Sequence, residues 1–334
     1  MMLRAGVDLG GTKIQVAVID PDGEIVGQCR VPTPQDHGPQ GVLDAIAQSV
    51  RDAVADASAQ LDQLIGVGVG SPGQIDVDSG TVSHAGNLPD WSGSVAVGPR
   101  LREALGVPIE VGNDVQVAVM AESTLGAGRP YSSMIGVFCG TGVGGGIVID
   151  DQLWLGRGAA GEIGHMVVEP DGAPCTCGKR GCLEAYAGRA AMEIEARRLV
   201  AKGKKTDLFT IMEHKGRTRL ASGVWAKALA HHDHMATKLI TRAEWALGIG
   251  IASAVNLLDV EAIVIGGGLG LRLGAPFVDR IRSQMMPHLL QPEKPPQVLL
   301  ATLGDLGGAV GAGLLVEHTV APTEQLGAVG DHDD

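Results

Sequence analysis

The chain has 334 residues, 50 of them glycine, with 45% apolar and 3% aromatic side chains and a formal net charge of −12. That length exceeds what one hydrophobic core usually serves, so two domains are expected, and the apolar fraction excludes a disordered polymer. The acidic balance argues against nucleic acid or an anionic membrane as main partner, but not against phosphate held by backbone N–H groups.

In chain order, residues 3–9, 13–20 and 24–31 read as three strands joined by tight turns at Gly10-Gly11-Thr12-Lys13 and at Asp20-Pro21-Asp22-Gly23. A strand starting at Leu3 leaves no room for a signal peptide. Residues 41–61 have helical periodicity, and 65–69 read as a buried strand ending at Ser71-Pro72-Gly73. A helix over 94–105, a strand over 109–111 and a helix over 114–125 follow, the last opening on the cap pair Asn113-Asp114.

Residues 136–150 then repeat residues 6–20 without a gap, at an offset of 130, with six identical positions. A shared glycine turn between strands, closed by the same Val-Ile-Asp, points to an internal duplication. Helices are expected at 189–202, 222–230 and 235–258, then a strand at 262–265 running into Gly266-Gly267-Gly268. A helix at 276–289, a strand at 298–303 and a small-residue helix at 309–316 complete two related α/β lobes whose glycine turns face one cleft. The most apolar run, 247–265, is interrupted by Asn256, Asp259 and Glu261 and is no membrane span. The charges over 189–205 read as a solvated face, and His231, His232 and His234 as an exposed loop rather than a metal site.

The stretch from Gly161 to Tyr186 carries the most chemistry. His165, Cys175, Cys177 and Cys182 are the number and type of ligands that a closed tetrahedral Zn²⁺ site takes, which makes the metal structural. A zinc ribbon for nucleic acid is the competing use, disfavoured by the acidic balance and the lack of stacking aromatics. With five cysteines, and Cys29 and Cys139 far from the cluster, a disulfide framework is not expected and a reduced cytosol fits. Glu162 and Glu184 flank the cluster and suit vicinal hydroxyls. Asp8 and Gly10 to Lys13 read as a phosphate hairpin with a carboxylate for a metal-bound water, and Gly140-Thr141-Gly142 and Gly266 to Gly268 as companion turns. Asp114 in isolation reads as a helix cap, although a carboxylate at such a junction also serves as general base toward an alcohol.

These motifs resemble the ROK family of bacterial sugar kinases and repressors, within the actin/hexokinase-like ATPase superfamily, and its glucokinases in particular. The resemblance runs from Val7 to about Val316, on DLGGTK at Asp8–Lys13, GEIGH at Gly161–His165 and CTCGKRGCLEAYAG at Cys175–Gly188. It implies two actin-like (ribonuclease H-like) lobes with a nucleotide and sugar cleft between them. The N-terminal lobe would be 1–113, completed by the helix near 309–317. The C-terminal lobe would be 114–308 with a zinc-bound loop at 161–186, and 320–334 would form an acidic tail.

The resemblance further implies that Asp114 is the catalytic base and that Asn113, Glu162, His165 and Glu184 bind sugar hydroxyls, His165 also ligating zinc. Asp8, Gly10, Gly11, Thr12, Lys13, Gly140, Thr141 and Gly142 would hold the phosphates and Mg²⁺, and Gly266, Gly267 and Gly268 the adenosine. Polyphosphate-using relatives typically lack the cysteine cluster, which favours ATP. Family repressors place a helix-turn-helix before the DLGGT strand, which here starts at once, so a repressor is not expected. The resulting expectation is ATP-dependent phosphorylation of glucose at its 6-hydroxyl by a cytoplasmic homo-dimer or homo-tetramer. A kinase of N-acetylmannosamine, N-acetylglucosamine or fructose, or a non-catalytic sugar sensor, stands as the alternative.

Overall fold

A computed structural model describes residues 2–86 and 88–320, with side chains through 316. The acidic tail expected at 320–334 lies, past its first residue, outside the described residues. The chain divides into two compact units, one of residues 1–114 with the segment from Ala309, the other of residues 115–308.

The first unit opens with strands β1 (Leu3–Leu9), β2 (Lys13–Ile19) and β3 (Ile25–Pro32), then helix α1 (Gly38–Asp56) and β4 (Leu64–Ser71). A small antiparallel sheet of β5 (Gln74–Asp76), β6 (Thr81–Ser83) and β7 (Val95–Ala96) precedes α2 (Val97–Leu105) and β8 (Ile109–Asn113). The main sheet has the order β3-β2-β1-β4-β8, antiparallel across β3-β2-β1 and parallel across β1-β4-β8. Ala5, Val7, Leu9, Val67 and Val69 are buried in its central strands. On α1, Val42, Ile46, Val50 and Ala53 recur at helical spacing and form the stripe that packs on β2 and β3.

The second unit contains α3 (Asp114–Thr124, from its second residue), β9 (Met134–Cys139), β10 (Val143–Ile149), β11 (Gln152–Leu153), α4 (Glu184–Ala187) and α5 (Arg189–Ala201). It continues with α6 (Leu208–His214), α7 (Ser222–Ala230), α8 (His234–Leu258), β12 (Ala262–Gly266), α9 (Gly267–Leu273), α10 (Ala275–Met285) and β13 (Gln297–Leu300). The chain then returns to the first unit as α11 (Gly307–Val320). The sheet order β11-β10-β9-β12-β13 reproduces that of the first unit, with the same parallel and antiparallel pairs. The long α8 is capped by Asp233, whose carboxylate accepts from the Ala236 N–H at 2.7 Å, and it packs against α10. No described helix is long and apolar enough to cross a membrane.

The duplication is therefore present in the topology, but the gapless alignment holds only as far as the turn. Leu9 pairs with Ile14, leaving residues 10–13 as the turn, whereas Cys139 pairs with Val143, leaving only 140–142. Beyond it the copies are one residue out of step: Ile19 pairs with Arg4, while Val148, not Ile149, pairs with Met134. The matching Val-Ile-Asp is a coincidence of apolar strands.

Each sheet has a face on which a helix packs against strand glycines, at backbone distance in the first unit and through valine side chains in the second. A Cβ on Gly6 would lie 1.8 Å from the Ala309 carbonyl oxygen, and one on Gly68 would lie 1.6 Å from that of Ala312, both on α11. In the second unit, Cβ atoms on Gly136 and Gly144 would lie 2.3 and 2.7 Å from Val119 and Val115 of α3. Helix α3 follows the last strand of the first unit's sheet and packs in the second; α11 follows the last strand of the second and packs in the first.

The longer helices lie where periodicity places them, with shifted ends. Helix α1 starts at Gly38, with Pro39 in its first turn, and stops before Ser58, whose φ is +55°. The helix expected over 94–105 begins instead as the short strand β7. Strands of two or three residues and the seven-residue helices α6 and α9 are too short to show a period.

Replacing Gly6 or Gly68 by alanine is expected to destabilise the protein by about 1–3 kcal/mol or more, because a helix backbone must move to admit the methyl group. Gly93, with nothing within 4 Å of its Cβ position, is the control, and urea midpoints measure the difference.

Candidate active site and metal centre

In the first unit the site residues collect at the carboxyl edge of three parallel strands. Asp8 pairs with Gly70, Gly70 with Gly112, and Ser71 with Asn113, so the Gly10–Lys13 turn and the Asn113-Asp114 junction leave the same sheet edge. The turn is held through its carbonyls and the Gly10 amide: Gly10 N–H donates to Lys13 O at 2.9 Å and the Thr33 hydroxyl to Gly10 O at 2.6 Å. Among the described residues no hydrogen bond uses the Gly11 and Thr12 amides. Lys13 Nζ donates to Gln15 Oε1. Asp114 is half-buried and opens α3, where the helix dipole favours a carboxylate.

In the second unit, β9 ends at Cys139 and β12 at Gly266, side by side and parallel. Gly267, with φ +77°, lies so close to Cys139 that a Cβ there would sit 2.5 Å from its carbonyl oxygen, so the turns at 140–142 and 266–268 are neighbours. The Cys139 thiol, pushed up to about 12 by burial, is inert. Gly140 N–H donates to Gly142 O at 2.9 Å, closing the turn. The turn's carbonyls face the start of α5: Arg189 N–H and Ala190 N–H donate to Gly140 O and Thr141 O at 3.3 and 3.0 Å. Glu184 Oε2 accepts from Val143 N–H at 2.9 Å, and its Oε1 accepts from the Thr176 hydroxyl at 3.2 Å, between two of the cysteines.

The ligand atoms of His165, Cys175, Cys177 and Cys182 all lie within 4.8 Å of one another. His165 Nδ1 is 3.8 Å from Cys175 Sγ, and Cys177 Sγ is 3.7 Å from Cys182 Sγ. A tetrahedron with Zn–S bonds of about 2.3 Å has sulfur–sulfur edges of about 3.8 Å, so donor set and spacing fit Zn²⁺. Burial pushes the Cys182 thiol up to about 12, whereas the Lys179 amide holds Cys177 below the ordinary thiol value. A coordinated divalent cation removes that conflict by deprotonating the thiols outright.

The loop has a second anchor. Glu169 accepts from the Tyr186 hydroxyl and from Arg242 Nη2, the latter at 2.6 Å, and the Arg242 guanidinium lies 3.8 Å from the Trp245 ring centroid. Glu162 is exposed and immediately precedes the single helical turn that ends at His165.

The ROK family profile matches residues 4–319 of this chain. A glucokinase from Halalkalibacterium halodurans is 35% identical over 318 residues, covering 94% of each chain.

The chain belongs to the ROK family.

An N-acetylgalactosamine kinase from Shewanella sp. is 31% identical, over 93% of this ROK chain and 95% of its own. A ROK family glucokinase from Streptomyces griseus, solved with glucose and AMPPNP, is similar in structure at 32% identity and a TM-score of 0.77, over 95% of this chain and 99% of that one. The fold is the two-lobed actin-like α/β fold of the ROK kinases.

Sequence reading missed two features of the site. Arg189, taken as part of a solvated face, reaches the Gly140 turn; Glu193 on the same helix is 5% exposed and accepts from Arg197, Arg219 and the Leu220 amide. Its available signal was the place of Arg189, directly after the EAYAG run. The Tyr186–Glu169–Arg242–Trp245 anchor joins residues distant in sequence and carries no local signature. His231, His232 and His234 gather no metal-ligand group among the described residues.

Metal analysis of the purified protein is expected to find one zinc per chain, and Cys182→Ser to lose it. Because the ligands must shed protons to bind, zinc affinity is expected to fall as pH falls. Full zinc occupancy in the Cys182→Ser protein would place the ion elsewhere.

Proposed function

We propose that this ROK chain is an ATP-dependent hexokinase whose preferred acceptor is the 6-hydroxyl of glucose. The observation that carries the reading is the single sheet edge of the first unit, where an open-amide glycine hairpin and a half-buried carboxylate at a helix start come together. A phosphate cradle and an alcohol-activating base are the two parts phosphoryl transfer to an alcohol requires. The glucose- and AMPPNP-bound relative supports both substrates.

In this reading Asp114 accepts the proton of the 6-hydroxyl as that oxygen attacks the γ-phosphorus of ATP and ADP departs. Asn113 in the first unit, and Glu162, His165 and Glu184 in the second, hold the other hydroxyls. Each oxygen of Glu184 already takes one donor and keeps a lone pair for another. With His165 Nδ1 committed to the cysteine cluster, its Nε2 carries the proton and donates to sugar. The amides of Gly11, Thr12, Thr141 and Gly142 and the Lys13 ammonium face phosphate oxygens, and Gly266 to Gly268 line the adenosine side. Mg²⁺, when bound, neutralises charge on the phosphates, and Asp8 is the carboxylate that would hold it, through water. The rest of the acceleration is positioning.

A kinase of a 2-substituted hexose is the second reading, favoured by the similarity to an N-acetylgalactosamine kinase. ADP release measured across glucose, fructose, N-acetylglucosamine, N-acetylmannosamine and N-acetylgalactosamine decides between them, with highest kcat/KM expected for glucose. Asp114→Asn is expected to lower kcat by ~10²–10⁴-fold while retaining sugar binding. Near-normal turnover would remove Asp114 from the mechanism.

A further inference from the structure

The two glycine turns differ in where their positive charge comes from. The first carries its own, Lys13, as the last residue of the turn. The second is one residue shorter, and Gly142, which has no side chain, stands where Lys13 stands in the first, because Val143 pairs with Cys139 as Ile14 pairs with Leu9 and Gly140 N–H bonds Gly142 O as Gly10 N–H bonds Lys13 O. A cation reaches the second turn from outside the hairpin. Arg189, the first residue of α5, donates from Nε to Gly140 O at 3.0 Å and from Nη2 to the Thr141 hydroxyl at 3.3 Å. Those bonds use two of five guanidinium hydrogens, and no ion pair engages Arg189 among the described residues. Among the described residues no hydrogen bond uses the Thr141 and Gly142 amides beside it either.

We propose that Arg189 is a phosphate ligand of the second glycine turn, supplying there the charge that Lys13 supplies at the first. This role rests on the reading of Gly140–Gly142 as a site for the polyphosphate of ATP. Its surroundings favour an arriving anion: partial burial and the like charge of Arg219 disfavour the bare cation by more than nearby Glu193 offsets. Arginine suits the task because its fork can hold the turn with one edge and bind phosphate oxygens with the other. A chain of net charge −12 gains most from a cation placed at the anion itself.

Calorimetric titration of the zinc-loaded full chain with ADP, AMPPNP and adenosine tests the proposal. Arg189→Met is expected to weaken ADP and AMPPNP about 10–100-fold, the loss of a charge-assisted contact, and to leave adenosine binding and the KM for hexose unchanged. Arg189→Lys, which keeps the charge, is expected to recover most of the loss. ADP affinity equal to wild type in Arg189→Met, or an equal loss for ADP and adenosine, overturns the proposal; the second result makes Arg189 only a buttress of the turn. Should the methionine variant not fold, Arg189→Gln, which keeps a donor for Gly140 O, carries the same comparison. Failure of the wild-type chain to bind any of the three ligands removes the underlying reading of the turn instead.

Discussion

The close approach of a helix to a glycine-lined sheet is the constraint on which the rest of this structure depends. Gly6 and Gly68 admit α11 to backbone contact in the first unit, and Gly136, Gly144 and Gly146 admit Val115 and Val119 of α3 in the second. Helix α3 begins at Asp114, so the packing that seats it also fixes where the proposed base stands. One residue earlier, Asn113 is held by β-pairing with Ser71. The junction is thus held on one side by β-pairing and on the other by the packing of Val115 and Val119 against strand glycines.

A second chain of constraint runs through the eight residues from Cys182 to Arg189. Cys182 belongs to the metal cluster; Glu184 ties Val143 to Thr176 of the cysteine loop; Gly188 leaves room for Gly142; Arg189 and Ala190 donate to the Gly140–Thr141 carbonyls. A metal held by that cluster would therefore also bear, through this short segment, on the turn proposed for phosphate. The Arg242 anchor limits that coupling. It grips Glu169 and stacks on Trp245 without involving any cysteine, so one arm of the loop keeps its place whatever the state of the metal.

Local chemistry made much of this legible in the sequence. Three cysteines and a histidine at ligand spacing, a glycine hairpin between β-branched strands and an Asn-Asp pair before a helical period each announce themselves within a few residues. The repeat was legible as a similarity but not as a register, because alternating apolar strands match almost as well one residue out of step. Arg189 was hidden for a related reason. In a run with Glu193, Glu195, Arg197 and Arg198 its charge looks like solvation, and only the fold shows that its side chain turns toward Gly140. The close helix packing was equally silent, since a glycine in a strand reads as weakness until the helix above it is known.

The glycine load and the acidic charge then belong to one strategy. A protein that recognises phosphate through side chains accumulates lysine and arginine, whereas one that recognises it through amides needs turns from which Cβ atoms are missing. Among the described residues no hydrogen bond uses the amides of Gly11, Thr12, Thr141 and Gly142, and two cations, Lys13 and Arg189, stand at the turns themselves. Amide dipoles are fixed by the strands that carry them and need no reorganisation when charge arrives. Their weakness is that they carry no net charge, so something must offset the repulsion between a polyanion and a chain of net charge −12. In the proposed reading that is the work of the cation at each turn, and a second turn with Gly142 in the place of Lys13 calls for an arginine from elsewhere in the fold.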